Sequence, residues 1–347
     1  MFRHALEELI EVVNASGSVM RDHYKYRRVV RQGLSYRLRV TVRSMIKAQK
    51  APQSGTLLKA LVLRDLSQRY RGSRLGIFWA FLLPLLLLAV YSFVFRTIFA
   101  ARWQIEPDID RGVVGLELLK TLPEGFLFAC NLFIGLLVLS VFSEVVNRAP
   151  KLIVEQPQLV RRVVFPLPLL GAVLTISALI QAFIQWLVLF VALIVAMVVF
   201  AGSAHSSSQS ASAETLVSAW AGWLLVQVPL SVLVLLYLAP MLLAISWTFS
   251  AVGTYFRDIA HLTPALMSVL MFLGPVFYPK SALPDPYSEW ILLNPLTVVA
   301  EQLRRVLLQG AQPDWYQLHA YLVVGLVLAW LGRWLFIRVQ AGFADVV

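Results

Sequence analysis

The chain has 347 residues, of which 59% are hydrophobic and 14% are charged, whereas a soluble domain is roughly 45–50% apolar and about 25% charged. No soluble core absorbs that much apolar surface, and disordered chains have the opposite bias. The composition therefore excludes soluble enzymes and fibrous proteins, and because Cys130 is the only cysteine it also excludes a disulfide scaffold. The net charge of +11 is high for so hydrophobic a chain, which makes its distribution along the sequence informative.

Residues 1–55 are predicted to form a cytoplasmic N-terminal extension. Between Arg21 and Lys47 it carries nine basic residues and one acidic residue. Nucleic-acid binding is one interpretation of such a run, but a segment tethered beside a membrane is better suited to anionic headgroups, and docking of a partner protein stays open. The first 20 residues lack the apolar run of a signal peptide, so we expect the first span to act as an uncleaved signal-anchor.

Residues 56–74 are predicted to form an amphipathic interface helix and a turn before the first span. The apolar face of Thr56–Tyr70 consists of Leu57, Leu58, Leu61, Val62 and Leu66. The opposite, polar face consists of Lys59, Arg64, Asp65, Gln68 and Arg69. This pattern is typical of a helix that lies in the plane of the membrane interface.

Six stretches without Asp, Glu, Lys or Arg approach or exceed the ~20 apolar residues that cross a bilayer as a helix. They are Leu75–Phe95, Gly125–Ser143, Val163–Ala204, Thr215–Phe256, Ile259–Pro279 and Trp315–Gly332. Because backbone polar groups must be paired internally in lipid, we predict an all-α membrane domain with six transmembrane helices over residues 75–340. Pro166 and Pro168 mark the expected start of the third helix.

Charge asymmetry predicts the topology. Thr215–Phe256 is interrupted by Pro229 and Pro240, and splitting it would produce seven spans. With six spans and the N-terminus inside, 23 of the 30 Lys and Arg residues fall on the inner side and 7 on the outer side. Since positive residues accumulate on the cytoplasmic side, we predict six spans with both termini in the cytoplasm.

The outer segment before the last span, Ser281–Asp314, contains turn-forming prolines and two apolar or amphipathic pieces, Trp290–Leu293 and Leu296–Leu308. We expect two short helices that dip into the outer leaflet.

Several kinds of chemistry are missing from the sequence. It contains neither the P-loop pattern nor a zinc-protease or paired Cys/His pattern, so no metal or cofactor is expected in this chain. Ionisable residues are nearly absent from the spans, which disfavours an ion-coupled transporter or a channel. The spans carry aromatic and amide side chains instead, which either pack or line a path for sugars; the pore-lining candidates are Trp79, Tyr91, Phe128, Asn131, Gln181, Gln185 and Trp247.

Four strings in order resemble the membrane subunits of ABC-2-type polysaccharide exporters, the permeases for O-antigen, teichoic acid and capsule. They are LRDLSQRYRGSRLG running into IFWAFLLP (63–84), LVRRVVFPLP (159–168), YFRDI (255–259), and GPVFYP (274–279) with LNPLT (293–297). The resemblance covers about residues 56–340. Residues 1–55 are longer than the short N-terminal tail expected in this family.

The resemblance implies a multi-pass permease of the inner membrane that forms a homodimer. It pairs with two copies of a separate ATPase subunit, where ATP and Mg²⁺ bind. Thr56–Tyr70 would lie at the cytosolic pore entrance, and Ser281–Leu308 would supply external re-entrant helices. The segment 150–162 would form the coupling loop that seats in the ATPase, with candidate residues Glu155, Gln156, Arg161 and Arg162. The second cytosolic loop, at residues 257–258, would contribute Arg257 and Asp258.

The function expected from this reasoning is export of a lipid-linked polysaccharide, with O-antigen favoured and capsule or wall polymer next. An arginine cluster beside the interface helix is predicted to attract the anionic pyrophosphate of the carrier lipid; its members are Arg64, Arg69, Arg71 and Arg74. An ABC-2 exporter of small drugs or lipids and a membrane scaffold without transport activity are the alternatives.

Overall fold

The computed structural model describes residues 54–69, 71–94, 122–160, 165–204, 213–278, 284 and 287–347. Regular structure in these ranges is helical throughout, without strands, which confirms the all-α class. The predicted N-terminal extension lies almost entirely outside the described residues.

Twelve α-helices are present in the described ranges. They are α1 (Ser54–Arg69), α2 (Trp79–Phe93), α3 (Glu124–Arg148), α4 (Pro157–Val160), α5 (Pro168–Ala204), α6 (Ala213–Leu236), α7 (Leu238–Tyr255), α8 (Ile259–Leu273), α9 (Tyr287–Trp290), α10 (Thr297–Gln309), α11 (Trp315–Val339) and α12 (Phe343–Val346). Short 3₁₀ turns lie at Gly76–Phe78, Ala149–Lys151, Ile291–Leu293 and Gln340–Gly342.

Apolar helices occupy all six predicted positions. Four units are long and apolar enough to cross a membrane: α3, α5, the α6–α7 pair and α11. The helices α2 and α8 are apolar but have only 15 residues each, about 22 Å at ~1.5 Å per residue. The chain is therefore a helical protein with several candidate spans, and the exact count of six and the side of each terminus stay predictions.

Glycine and proline shorten the first and fifth predicted spans. Gly76 has a φ of 52° and opens a 3₁₀ turn, so α2 begins at Trp79 instead of Leu75. At the other position α8 ends at Leu273, because Gly274 is extended ahead of Pro275, and a residue before proline is biased away from helical backbone.

The long stretch 215–256 is interrupted once. Pro229 lies inside α6 without ending it, but Tyr237 forms a turn between α6 and α7 three residues before Pro240. Proline lacks the N–H that would bond the carbonyl four residues earlier, and its ring crowds that carbonyl. The interruption is a single residue, and Gly222–Tyr255 remains one candidate span.

The core of the described structure is centred on α3. In its most apolar window 72% of the residues are buried, compared with 28–39% in the other three candidate spans. Helices α11 and α7 are also in close contact. A Cβ added to Gly332 would lie 2.7 Å from the Thr248 hydroxyl oxygen and 3.0 Å from the Ala244 carbonyl oxygen. Small residues of this kind let membrane helices approach closely.

Described parts of three segments predicted to be cytoplasmic lie close together. The hydroxyl of Tyr255 donates to the carbonyl oxygen of Val339 over 2.8 Å, and Arg257 Nη2 donates to that of Val346 over 3.3 Å. On the same side, the turn Ala149–Lys151 packs against α7 near Gly253. This grouping is what six alternating spans require.

The outer segment forms the predicted short helices, but its main helix is not exposed. Most of α10 is buried, and the helix packs against α3 and α6. It ends at Gly310, whose φ of 63° is the left-handed conformation that favours glycine. Asp314 then caps α11 by accepting from the backbone N–H groups of Tyr316 and Gln317 over 3.1 and 3.2 Å. The structure therefore places α10 inside the protein, and its depth relative to the outer leaflet stays a prediction.

Candidate transport site

A cavity of about 560 Å³ lies between α2, α3, α5 and α8. Four of the seven predicted pore-lining residues line it, namely Trp79, Tyr91, Gln181 and Gln185. Other lining residues come from α3 and α8, including Phe133, Ser140, Asn147, Met267 and Ser268. The structure thus brings together aromatic and amide side chains from separate helices.

The lining of this cavity is uncharged. None of its described lining residues is Asp, Glu, Lys or Arg. Ser140 Oγ bonds the amide oxygen of Gln185 over 3.0 Å, and Asn147 Nδ2 donates to Ser143 Oγ over 2.9 Å. Aromatic faces and neutral hydrogen-bonding groups are suited to a ligand with hydroxyls and C–H faces, and they offer no counter-ion to a charged one.

The remaining three predicted pore residues lie elsewhere. Phe128 is buried, and Asn131 Nδ2 donates to the carbonyl oxygen of Leu127 over 3.0 Å. Trp247 Nε1 donates to the carbonyl oxygen of Pro168 over 2.9 Å. These three residues pack within the fold and do not line this cavity, and their place in a transport path stays a prediction. Residue type alone did not separate packing aromatics from lining ones.

The predicted entrance arginines separate into two groups. Arg64, Arg71 and Arg74 are exposed, and the latter two flank a turn in which Gly72 has a φ of 90°. Arg69 is instead turned inward and is paired with Asp65 and Glu144. Two residues of the predicted polar face, Asp65 and Arg69, are thus paired with charges on α3.

Four charged side chains form a closed ring between α1 and α3. Arg148 Nη2 binds Asp65 Oδ1 at 2.5 Å and its Nη1 binds Glu144 at 3.0 Å, while Arg69 binds Asp65 at 3.3 Å and also contacts Glu144. Burial raises the pKa of Asp65, but hydrogen bonding and attraction from Arg148 outweigh it, so that pKa lies below its ordinary value. Burial lowers the pKa of Arg69, yet Glu144 and Asp65 hold it above the usual range. Both shifts favour the charged forms of Asp65 and Arg69 at neutral pH.

Four of the six predicted coupling residues lie within the described residues, and Glu155 and Gln156 line a pocket together with Asp65 and Arg148 of the ring. Glu155 is exposed and Gln156 half-buried in the turn before α4, and Arg257 and Asp258 are exposed between α7 and α8. Arg161 and Arg162 lie outside the described residues. Pro150 packs so closely on Gly253 that an added Cβ would lie 2.5 Å from its Cα. The turn at the start of the first predicted coupling segment thus packs tightly on the end of α7 that leads to Arg257 and Asp258.

The sequence did not indicate a role for Arg304 on α10. In the structure its side chain is only 2% exposed. Its Nη1 donates to the Pro275 carbonyl oxygen over 2.6 Å and to Glu301 over 2.9 Å. Nη2 donates to the carbonyl oxygens of Asn131 over 3.0 Å and Val276 over 3.2 Å. It joins α10, α3 and the turn after α8. One sequence feature could have predicted that Arg304 is buried: it occupies a position in the apolar stripe of α10, where core residues are expected.

Comparison with known proteins shows the family of the chain. The family model for the ABC-2 type transporter matches residues 56–308, which is most of the chain, and the chain therefore belongs to this family. The family and the apolar helices together identify a multi-pass membrane protein that is a transport component.

Three relatives are similar over nearly their whole length. The O-antigen export system permease protein RfbA of Myxococcus xanthus is 27% identical over 293 residues, covering 84% of this chain and 95% of the relative. Two proteins of the same name from Klebsiella pneumoniae are each 22% identical over 291 residues, with the same coverage.

Proposed function

We propose that this chain is the permease subunit of an ABC exporter that moves a lipid-linked polysaccharide outward across the inner membrane, with O-antigen as the favoured polymer and capsule or wall polymer next. The observation that carries the proposal is the similarity, over 84% of the chain, to permeases named for O-antigen export. The uncharged cavity lined by aromatic and amide groups supports it, since sugars present hydroxyls and apolar C–H faces.

The working transporter in this proposal is a homodimer with two copies of a separate ATPase, which binds ATP and Mg²⁺. The sequence has no P-loop of its own. Among the described residues α8 buries only two of 15, yet it supplies Met267, Ser268 and Met271 to the cavity wall. A second copy packed against α8 would enclose the path. The ATPase would contact the loop before α4, through Glu155, Gln156, Arg161 and Arg162, together with Arg257 and Asp258.

Deleting the chain is the direct test of this function. We expect lipid-linked polymer to accumulate on the cytosolic side and surface polymer to fall to background, because synthesis continues while export stops. Polymer would be measured by fractionation and surface labelling, with a plasmid-borne copy as the control. Normal surface polymer with altered sensitivity to amphiphilic drugs would favour a small-molecule exporter. Normal polymer and purification without any ATPase would favour a scaffold.

The cytosolic entrance is tested separately. Replacing Arg64, Arg71 and Arg74 with glutamine should reduce export, because the exposed cations attract the carrier pyrophosphate in this proposal. Replacing the same three residues with lysine keeps the charge and should preserve most of the activity. Arg69 stays unchanged in both variants because its charge is already paired. Unchanged export by the glutamine variant at normal protein level would contradict the entrance role.

A further inference from the structure

The ring of Asp65, Arg69, Glu144 and Arg148 alternates in charge all the way round. Each helix contributes an acid and a base four residues apart, and each acid contacts both bases. Exposed fractions of the side chains range from 16% for Glu144 to 39% for Arg148. Partly buried pairs are screened less by salt than surface pairs, and a network is worth more than isolated pairs.

The ring joins the C-terminal half of α1 to α3. Among the α1 side chains that the structure describes, Val62 is buried, Leu57, Leu58, Leu61 and Leu66 are half-buried, and Leu63 is 67% exposed. Apolar packing therefore holds one side of α1, and the ring adds ion pairs that connect its polar side chains to α3.

The α3 side of the ring lies directly beside the predicted coupling loop, residues 150–162. Arg148 is the last residue of α3 and is followed at once by the turn Ala149–Lys151, which packs on α7. The loop is therefore continuous with the end of α3, and the ring joins that end to α1. Nothing else that the structure describes joins α1 to this turn through paired charges.

We infer that the four residues are positioning residues that transmit movement of the coupling loop to the interface helix, so that the pairing across the two helices is required for ATP-driven opening. The inference rests on the proposed function for the identity of the cargo only. Its physical content is that α1 moves with the inner end of α3 because complementary charges join them.

Charge exchange tests this pairing without altering net charge. An α1 half-exchange, Asp65→Arg with Arg69→Glu, keeps the pair within α1 but places like charges opposite α3. An α3 half-exchange, Glu144→Arg with Arg148→Asp, does the same from the other side. The fourfold exchange restores every contact with opposite sign. All variants are made in the full chain and purified with the ATPase.

Export in the deletion strain and ATP hydrolysis by the purified complex are then measured together. Both half-exchanges should lower export by about tenfold or more, within the usual range of coupling between linked sites, with hydrolysis largely retained. The fourfold exchange should restore export. Normal export by the half-exchanges overturns the inference. So does a fourfold variant that assembles at wild-type level and hydrolyses ATP but fails to export.

A readout independent of the cargo separates this inference from the proposed function. A bimane fluorophore on Leu63→Cys reports the surroundings of α1, and native Cys130 is buried and does not compete for the label. ATP should change the emission in the otherwise wild-type complex and in the fourfold exchange, but not in either half-exchange. No ATP response in the wild-type ring, or an equal response in all variants, overturns the inference. Normal surface polymer after deletion would overturn only the polysaccharide assignment.

Discussion

Replacing Arg304 with methionine is expected to give the least stable single variant of this protein. The guanidinium donates to three backbone carbonyl oxygens and to Glu301, and those acceptors remain in the interior when it is removed. Each buried acceptor that is left without a hydrogen bond costs about 1–3 kcal/mol. We expect a much lower melting temperature in detergent and a reduced amount of protein in the membrane.

Two further variants separate charge from geometry at this position. Arg304→Lys retains the positive charge, but a single ammonium cannot match the planar fork that reaches Asn131, Pro275 and Val276 together, so its stability should be intermediate. Arg305→Met is the neighbouring control, because Arg305 is less buried and its Nε donates to the carbonyl oxygen of Gln312 over 2.9 Å. We expect the melting temperature to be lowest for Arg304→Met, intermediate for Arg304→Lys and highest for the control Arg305→Met. Equal melting of the Arg304→Met variant and the wild type would contradict the structural role.

Replacing Gly253 with alanine is expected to abolish most export while leaving a folded protein. An added Cβ would lie 2.5 Å from Pro150 Cα and 2.6 Å from the Pro150 carbonyl oxygen. These are backbone atoms, so the turn Ala149–Lys151 must shift, and overpacking of this kind costs about 1–3 kcal/mol. Since that turn leads into the predicted coupling loop, the shift should misplace the ATPase contact. Export in the deletion strain and thermal stability would both be measured.

Gly325→Ala is the matched control for that prediction. Gly325 also lies within a helix, and its added Cβ would be 3.2 Å from the Met241 amide nitrogen and 3.3 Å from Pro240 Cβ, a contact that small adjustments relieve. Both substitutions reduce the entropy of the unfolded chain equally, so a difference between them reports the clash at Pro150. If both variants export equally well, the close contact between α7 and the turn Ala149–Lys151 is not required.

Local features of the sequence predicted the helices well and their surroundings less well. The apolar stretches, the effect of Pro240 and the short outer helices follow from composition and backbone chemistry within a few residues. The surroundings of Asp65 and Arg69 on α1 do not follow from the sequence, because both residues look like solvent-facing charges until their partners on α3 are known. Trp247 has the same difficulty, since an indole packs or lines a path with equal chemical ease.

Sequence alone determined that this is a helical membrane protein, where its apolar helices lie, and the family it belongs to, because length, hydropathy and short motifs are carried by neighbouring residues. Tertiary structure alone decided which polar groups meet. Asp65 and Arg148 are 83 positions apart, and Arg304 and Asn131 are 173 apart. Pairings over such separations are set by how the helices pack, so the charged ring, the buried arginine and the uncharged cavity could be recognised only in the folded chain.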